Sequence, residues 1–97
     1  MDDAIILINE FIDEIKKQFS SLHIDYEYNS ETDEYNIWHN DRNLELNDAC
    51  FLKYTSEKAE GILFKNDIYN FCFGYDYYKA KSYTSKHESL IKQAADQ

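Results

Sequence analysis

The sequence predicts an α+β fold, in which an N-terminal amphipathic helix packs on one face of an antiparallel sheet of about four to five strands and a short helix closes the chain. Two observations predict it: apolar residues recur every three or four positions over residues 3–22, and every second position on both sides of a turn within residues 24–39. A chain of 97 residues is long enough for one core. We therefore expect a single domain over residues 1–97, with residues 85–97 as a loosely attached helix.

The first element is a helix over residues 3–22. Carboxylates at Asp2 and Asp3 suit the positive end of the helix dipole, and Lys16 and Lys17 suit its negative end. The apolar residues of the helix form one stripe: Ile5, Ile8, Phe11, Ile12, Ile15, Phe19 and Leu22.

The second element is a β-hairpin over residues 24–39. Tyrosine and isoleucine alternate with acidic and amide residues on both sides of the sequence SETD (30–33), which is typical of a turn. The hairpin should carry one apolar face and one acidic face.

Further strands are predicted after the hairpin. Leu44 and Leu46 indicate a short strand, and residues 50–54 a more buried one, although a helix capped by Asp48 competes for that stretch. ILFK (62–65) and the aromatic run after it would form a second hairpin. Ser85 and Glu88 have the spacing of a capping box for the last helix.

The run IYNFCFGYDYY (68–78) places aromatic rings on one face of a strand. Its rings are at Tyr69, Phe71, Phe73, Tyr75 and Tyr77. We interpret this stripe as the inside of the sheet, emerging at a rim near Tyr75, Tyr77 and Tyr78. A recognition surface is the alternative, because exposed tyrosines are common in interfaces.

Charge is unevenly distributed along the chain. Residues 1–48 hold 13 acidic and 3 basic side chains, whereas residues 49–97 hold 6 and 7. Such an excess repels nucleic acid and anionic membranes, so the sequence predicts a basic protein partner and no direct contact with either. The start MDDA lacks a basic leader region and the apolar run at 4–8 is too short to span a bilayer, which favours a cytoplasmic location.

The sequence offers two weak candidates for a catalytic or metal site. Cys50 or Cys72 with a histidine is one candidate nucleophile and base. A metal site from two histidines and two carboxylates is another, with His23, Asp25, His39 and Asp41 as ligands. Neither has a diagnostic spacing, so we predict a protein that is not an enzyme and uses no cofactor or metal.

The predicted partner-binding residues combine the acidic hairpin and following loop with nearby aromatic rings. They are Asp25, Glu27, Glu31, Asp33, Glu34, Trp38, Asp41, Glu45, Asp48, Tyr75 and Tyr77.

The chain is similar to the small acidic immunity proteins and antitoxins of bacterial toxin systems, and to phage inhibitors that imitate DNA. The features that carry this resemblance are the small size, the net charge of -9, the stretch NIWHNDRNLELND and the tyrosine-rich strands. The resemblance implies an inhibitor that covers the active-site or substrate groove of a basic toxin, and that this toxin is a nuclease domain. It also implies that one copy of the inhibitor binds one toxin in a heterodimeric complex. The alternative is a small chaperone or adaptor that binds a peptide through a sheet edge and an aromatic rim.

Overall fold

The computed structural model of the chain describes residues 3–82 and contains an α+β domain with an N-terminal helix, as predicted. Its sheet differs from the prediction: within the described residues it has three strands in the order β1-β2-β3, the first pair antiparallel and the second parallel. The predicted helix over 85–97 lies outside the described residues. The elements are α1 (Asp3–Gln18), β1 (Ile24–Asn29), β2 (Glu34–His39), α2 (Arg42–Asn47), α3 (Ala49–Lys58), β3 (Phe71–Tyr75) and a helical segment over 77–82.

The core forms where α1 packs on the inner face of the sheet. The apolar stripe of α1 buries Ile8, Phe11 and Ile15 completely. The ring of Phe11 meets that of Phe73 edge-on, with centroids 5.4 Å apart. Ile37 of β2, opposite Phe73 in the register, is also fully buried. The 3–4 spacing of the apolar residues in α1 therefore matches a layer of rings and branched side chains on the sheet.

The predicted hairpin is confirmed, with β1 and β2 paired from Ile24 opposite His39 to Asn29 opposite Glu34. Its turn is stabilised by short polar side chains. Asn29 Oδ1 accepts a hydrogen bond from the Glu31 amide (3.0 Å), and Asp33 has a positive φ of 54°. Asparagine and aspartate tolerate such geometry better than most residues, so the turn needs no glycine.

The predicted strands at Leu44, Leu46 and residues 50–54 are wrong, because both stretches are helical. Asp48 Oδ1 accepts a hydrogen bond from the Phe51 amide (3.0 Å), so the competing prediction of a helix capped by Asp48 is correct. Three buried residues, Phe51, Thr55 and Leu63, are separated by four and eight positions, which are multiples of the helical spacing of four. This helical period becomes visible only when the pattern is followed beyond residue 54.

The Asp48 cap should contribute measurably to stability. We expect Asp48→Ala to lower the free energy of unfolding by about 1 kcal/mol, because the Phe51 amide loses its acceptor. Asp48→Asn should keep most of that stability, since the amide oxygen can replace the carboxylate oxygen. Urea denaturation measures both, and an equal loss in the two variants would contradict a capping role.

The predicted second hairpin is also wrong, because 62–65 is not a strand. The helix continues from α3 through a π-helical turn (Ala59–Leu63) and a 3-10 turn (Phe64–Asn66). It ends where Asp67 adopts the left-handed conformation (φ 61°) and the Ile68 amide donates to the Leu63 carbonyl (2.9 Å). The helices between β2 and β3 form a crossover, which lets the two strands run parallel.

The aromatic stripe is internal only in its middle. Phe71 and Phe73 pack against the core, whereas Tyr69 is exposed. The strand stops at Tyr75, because Asp76 Oδ1 accepts from the Lys79 amide (3.1 Å) and caps the helical segment. Tyr77 and Tyr78 lie in that segment and are exposed, so the predicted strand over 68–78 is too long.

Candidate functional site

The hairpin brings five of the predicted carboxylates together on its outer side. Asp25 and Glu27 alternate on β1, Glu34 begins β2 opposite Asn29, and the turn carries the other two. All five are exposed. We call this set the hairpin patch: Asp25, Glu27, Glu31, Asp33 and Glu34.

Little positive charge reaches the hairpin patch. The sequence has no lysine or arginine between Lys17 and Arg42. Of the lysines and the arginine within residues 3–82, only Lys79 forms an ion pair with a member of the patch, Glu27. The hydroxyl of Tyr28 donates to Asp33 Oδ1 (2.7 Å), a neutral contact that leaves the negative charge in place. The patch is therefore a concentrated anionic surface.

The other three predicted carboxylates have structural contacts. Asp41 Oδ1 accepts from the Leu44 amide (3.2 Å) and caps α2, as Asp48 caps α3. Glu45 Oε2 accepts from the Tyr75 amide (2.6 Å) and is only partly exposed. These three side chains hold backbone amides within the fold and lie outside the hairpin patch.

The predicted aromatic anchors are dispersed. Trp38 is 7 % exposed and its ring lies against His23, with centroids 5.2 Å apart, so it is not available at the surface. Tyr75 is half-buried at the end of β3. Tyr77 is exposed in the next helical segment. The two tyrosines do not continue one strand face.

A buried histidine and a carboxylate meet at the outer edge of β3. His39 is completely buried among the rings of Phe51, Phe73 and Tyr75. Its Nδ1 accepts from the Asp41 amide (3.2 Å), which places the proton of the neutral ring on Nε2. Nε2 lies 3.2 Å from Glu45 Oε2, but without the alignment of a hydrogen bond.

The carboxylate of Glu45 reaches this position because residue 74 is glycine. A β-carbon on Gly74 would lie 3.2 Å from Glu45 Oε1, a tight contact. Burial lowers the pKa of His39 below its ordinary value, although Glu45 and Asp41 act in the opposite direction. The imidazole is therefore neutral at pH 7.

Beside this pair, a groove runs between the outer edge of β3 and the helical wall formed by α3 and the π turn. Its volume is about 510 Å³. We call it the edge groove, lined by Phe11, His39, Glu45, Phe51, Leu52, Thr55, Ser56, Ala59, Glu60, Phe64, Tyr69, Phe71, Cys72 and Phe73. It is a mostly apolar cleft with polar groups near one end, which is the usual form of a binding site.

The edge groove could not be predicted while residues 50–54 were assigned to a strand. In a helix, Leu52, Ser56 and Ala59 fall on one face, and this face lines the groove. Small side chains at such spacing were the available signal, but it appears only once α3 is recognised.

The described part of the chain contains neither a disulfide nor a cluster of metal ligands. Cys50 and Cys72 are both exposed, and neither is in a disulfide. Among residues 3–82, no three His, Cys, Asp or Glu side chains are placed to hold a metal ion. No helix within the same residues has the length and apolarity to cross a membrane.

Comparison with other proteins gives no family assignment, since no family model, curated protein or solved structure matches the chain.

Proposed function

We propose that the protein is an inhibitory binding protein that neutralises a basic partner, a toxin nuclease, as an immunity protein does. The hairpin patch carries this proposal: five exposed carboxylates on one hairpin, with a single lysine of the described chain paired to one of them. Such local concentration of like charge destabilises a fold, and it is compensated when an oppositely charged surface binds.

The proposed mechanism is occlusion. A nuclease binds phosphate through lysine and arginine side chains, and carboxylates accept charge-assisted hydrogen bonds from the same groups. The hairpin patch would occupy the substrate groove and exclude nucleic acid. Long-range attraction should accelerate association, so complex formation should be fast and strongly dependent on salt.

Affinity capture from the native host at low ionic strength tests the proposal. We expect a basic nuclease to be recovered, its activity to fall when the protein is added, and association to slow as NaCl rises to about 0.5 M. Reversing two patch charges, in Glu31→Lys combined with Glu34→Lys, should reduce the association rate by about tenfold or more.

The matched control changes the net charge equally at another surface. Glu10 and Asp13 are exposed on α1, and Glu10→Lys combined with Asp13→Lys should have a clearly smaller effect than the hairpin variant. Equal effects would show that net charge acts without a defined patch. A partner whose binding ignores both salt and the hairpin variant would contradict the proposal. A basic DNA-binding partner that is not a toxin would instead favour imitation of DNA.

A further inference from the structure

Within residues 3–82, no strand pairs with the outer edge of β3, and the backbone groups on that edge face the edge groove. In the parallel ladder the Tyr35 amide donates to the Asn70 carbonyl (2.9 Å) and the Asp76 amide donates to the His39 carbonyl (3.4 Å). Since alternate residues of a strand direct their backbone groups to the same side, those of Phe71, Phe73 and Tyr75 point outward. The Tyr75 amide confirms this direction, because it donates to Glu45.

Glu45 therefore occupies one end of the edge, and in the described part of the chain no backbone group pairs with the outward side of Phe71 and Phe73. An open edge is a template for another strand. Natural proteins usually blunt such edges with charge or proline, whereas this one borders an apolar cleft. Three large apolar side chains that line the groove are themselves exposed: Leu52 (46 %), Phe64 (39 %) and Tyr69 (64 %).

The charges around the groove indicate the kind of ligand. Of the described residues, those that line it include two carboxylates, Glu45 and Glu60, and no lysine or arginine. His39 Nε2 adds a second observation: among the described residues this fully buried donor has no aligned acceptor, although Glu45 Oε2 lies 3.2 Å away. A ligand that brings positive charge to the partly exposed carboxylate of Glu45 would complement this end of the groove.

We infer that the edge groove binds an extended peptide segment of a partner protein, which adds a fourth strand beside β3. Its backbone would pair with Phe71 and Phe73, alternate apolar side chains would enter the cleft between β3 and α3, and a lysine or arginine would face Glu45. This surface is separate from the hairpin patch, and the inference does not depend on the identity proposed for the basic partner.

A model peptide tests the inference because backbone pairing tolerates different sequences. The probe is a fluorescein-labelled heptapeptide in which valine alternates with threonine between terminal lysines. We expect saturable binding by fluorescence anisotropy that persists in about 0.5 M NaCl. N-methylation is placed on the central valine in one peptide and on a neighbouring threonine in another. One of the two should bind about tenfold or more weakly, because only one of two adjacent amides faces the strand edge.

Two exposed positions of α3 provide a matched pair of variants. Ser56 lines the groove and Glu57 does not. Ser56→Trp should fill the cleft and reduce affinity by about tenfold or more, whereas Glu57→Trp should leave it within about twofold. Hydrogen exchange at the Phe71 and Phe73 amides should slow when the peptide binds.

Three results would overturn the inference. One is the absence of saturable binding, and another is unchanged affinity for both N-methylated peptides. The third is binding that survives Ser56→Trp but is lost in Glu31→Lys combined with Glu34→Lys, which would place the peptide on the hairpin patch.

Discussion

Phe11→Ala is expected to lower the free energy of unfolding by about 3–5 kcal/mol, the usual cost of removing a buried aromatic ring. Phe11 is completely buried on α1 and contacts the rings of Phe71 and Phe73. The loss combines the transfer free energy of the ring with the cost of the cavity left between helix and sheet. Urea denaturation followed by far-UV circular dichroism measures it.

Ile6 supplies the control for this prediction, since it is on the same helix and 50 % exposed. Ile6→Ala should change stability by no more than about 0.5 kcal/mol. Phe11→Leu should cost less than Phe11→Ala and gives a measurable value if the alanine variant does not fold. A loss below about 1 kcal/mol for Phe11→Ala would show that α1 does not pack on the sheet as described.

The parts of the fold that the sequence predicted have local causes. The 3–4 apolar spacing defines α1, and the alternation on both sides of residues 30–33 defines the hairpin. Each depends on side chains close together in the sequence, with one face buried and one exposed, and such patterns are visible without tertiary contacts.

The stretch from Leu44 to Tyr75 was harder to predict for a physical reason. Short apolar runs such as the one around Phe51 fit either a strand or a buried helix, and the cap at Asp48 was the decisive feature. The parallel pairing of β3 with β2 depends on the crossover through α3, a long-range property. The sequence pattern predicted two hairpins, whereas the structure has one hairpin and one helical crossover. The predicted number of strands was therefore too large.

In the candidate site, too, the residues in locally recognisable elements were predictable and those that depend on tertiary contacts were not. Carboxylates on the hairpin could be assigned to one surface because the hairpin itself was recognised. Asp41 and Asp48 were expected to bind a partner, and in the structure each caps a helix. The helix after Asp41 was not predicted, and the helix after Asp48 was only the competing prediction for its stretch. The edge groove lies between β3 and α3, so the one local signal for it, the spacing of Ser56 and Ala59, has meaning only once α3 is recognised.

Stability should decrease as the pH falls from about 7.5 to about 5, because His39 is buried in its neutral form. Its pKa in the folded state is lower than the ordinary value near 6.5, so the unfolded chain binds more protons between these two values. Stability is therefore complete above the unfolded pKa and declines as the pH falls through about 6.5 toward the folded pKa. For one group the slope is at most about 1.4 kcal/mol per pH unit.

The groups around His39 determine the size of this effect. Glu45 of α2 and Asp41 before it oppose the loss, whereas Phe51 of α3 and the rings of β3 supply no charge. Thermal denaturation at intervals from pH 7.5 to 5 measures the slope for the original protein and for His39→Gln, which cannot titrate. The slope should be smaller in His39→Gln, and steeper in Glu45→Gln, because the carboxylate that favours protonated His39 is gone. Identical slopes in all three proteins would show that His39 is not the titrating group, and that its burial beside the edge groove has no energetic consequence in this pH range.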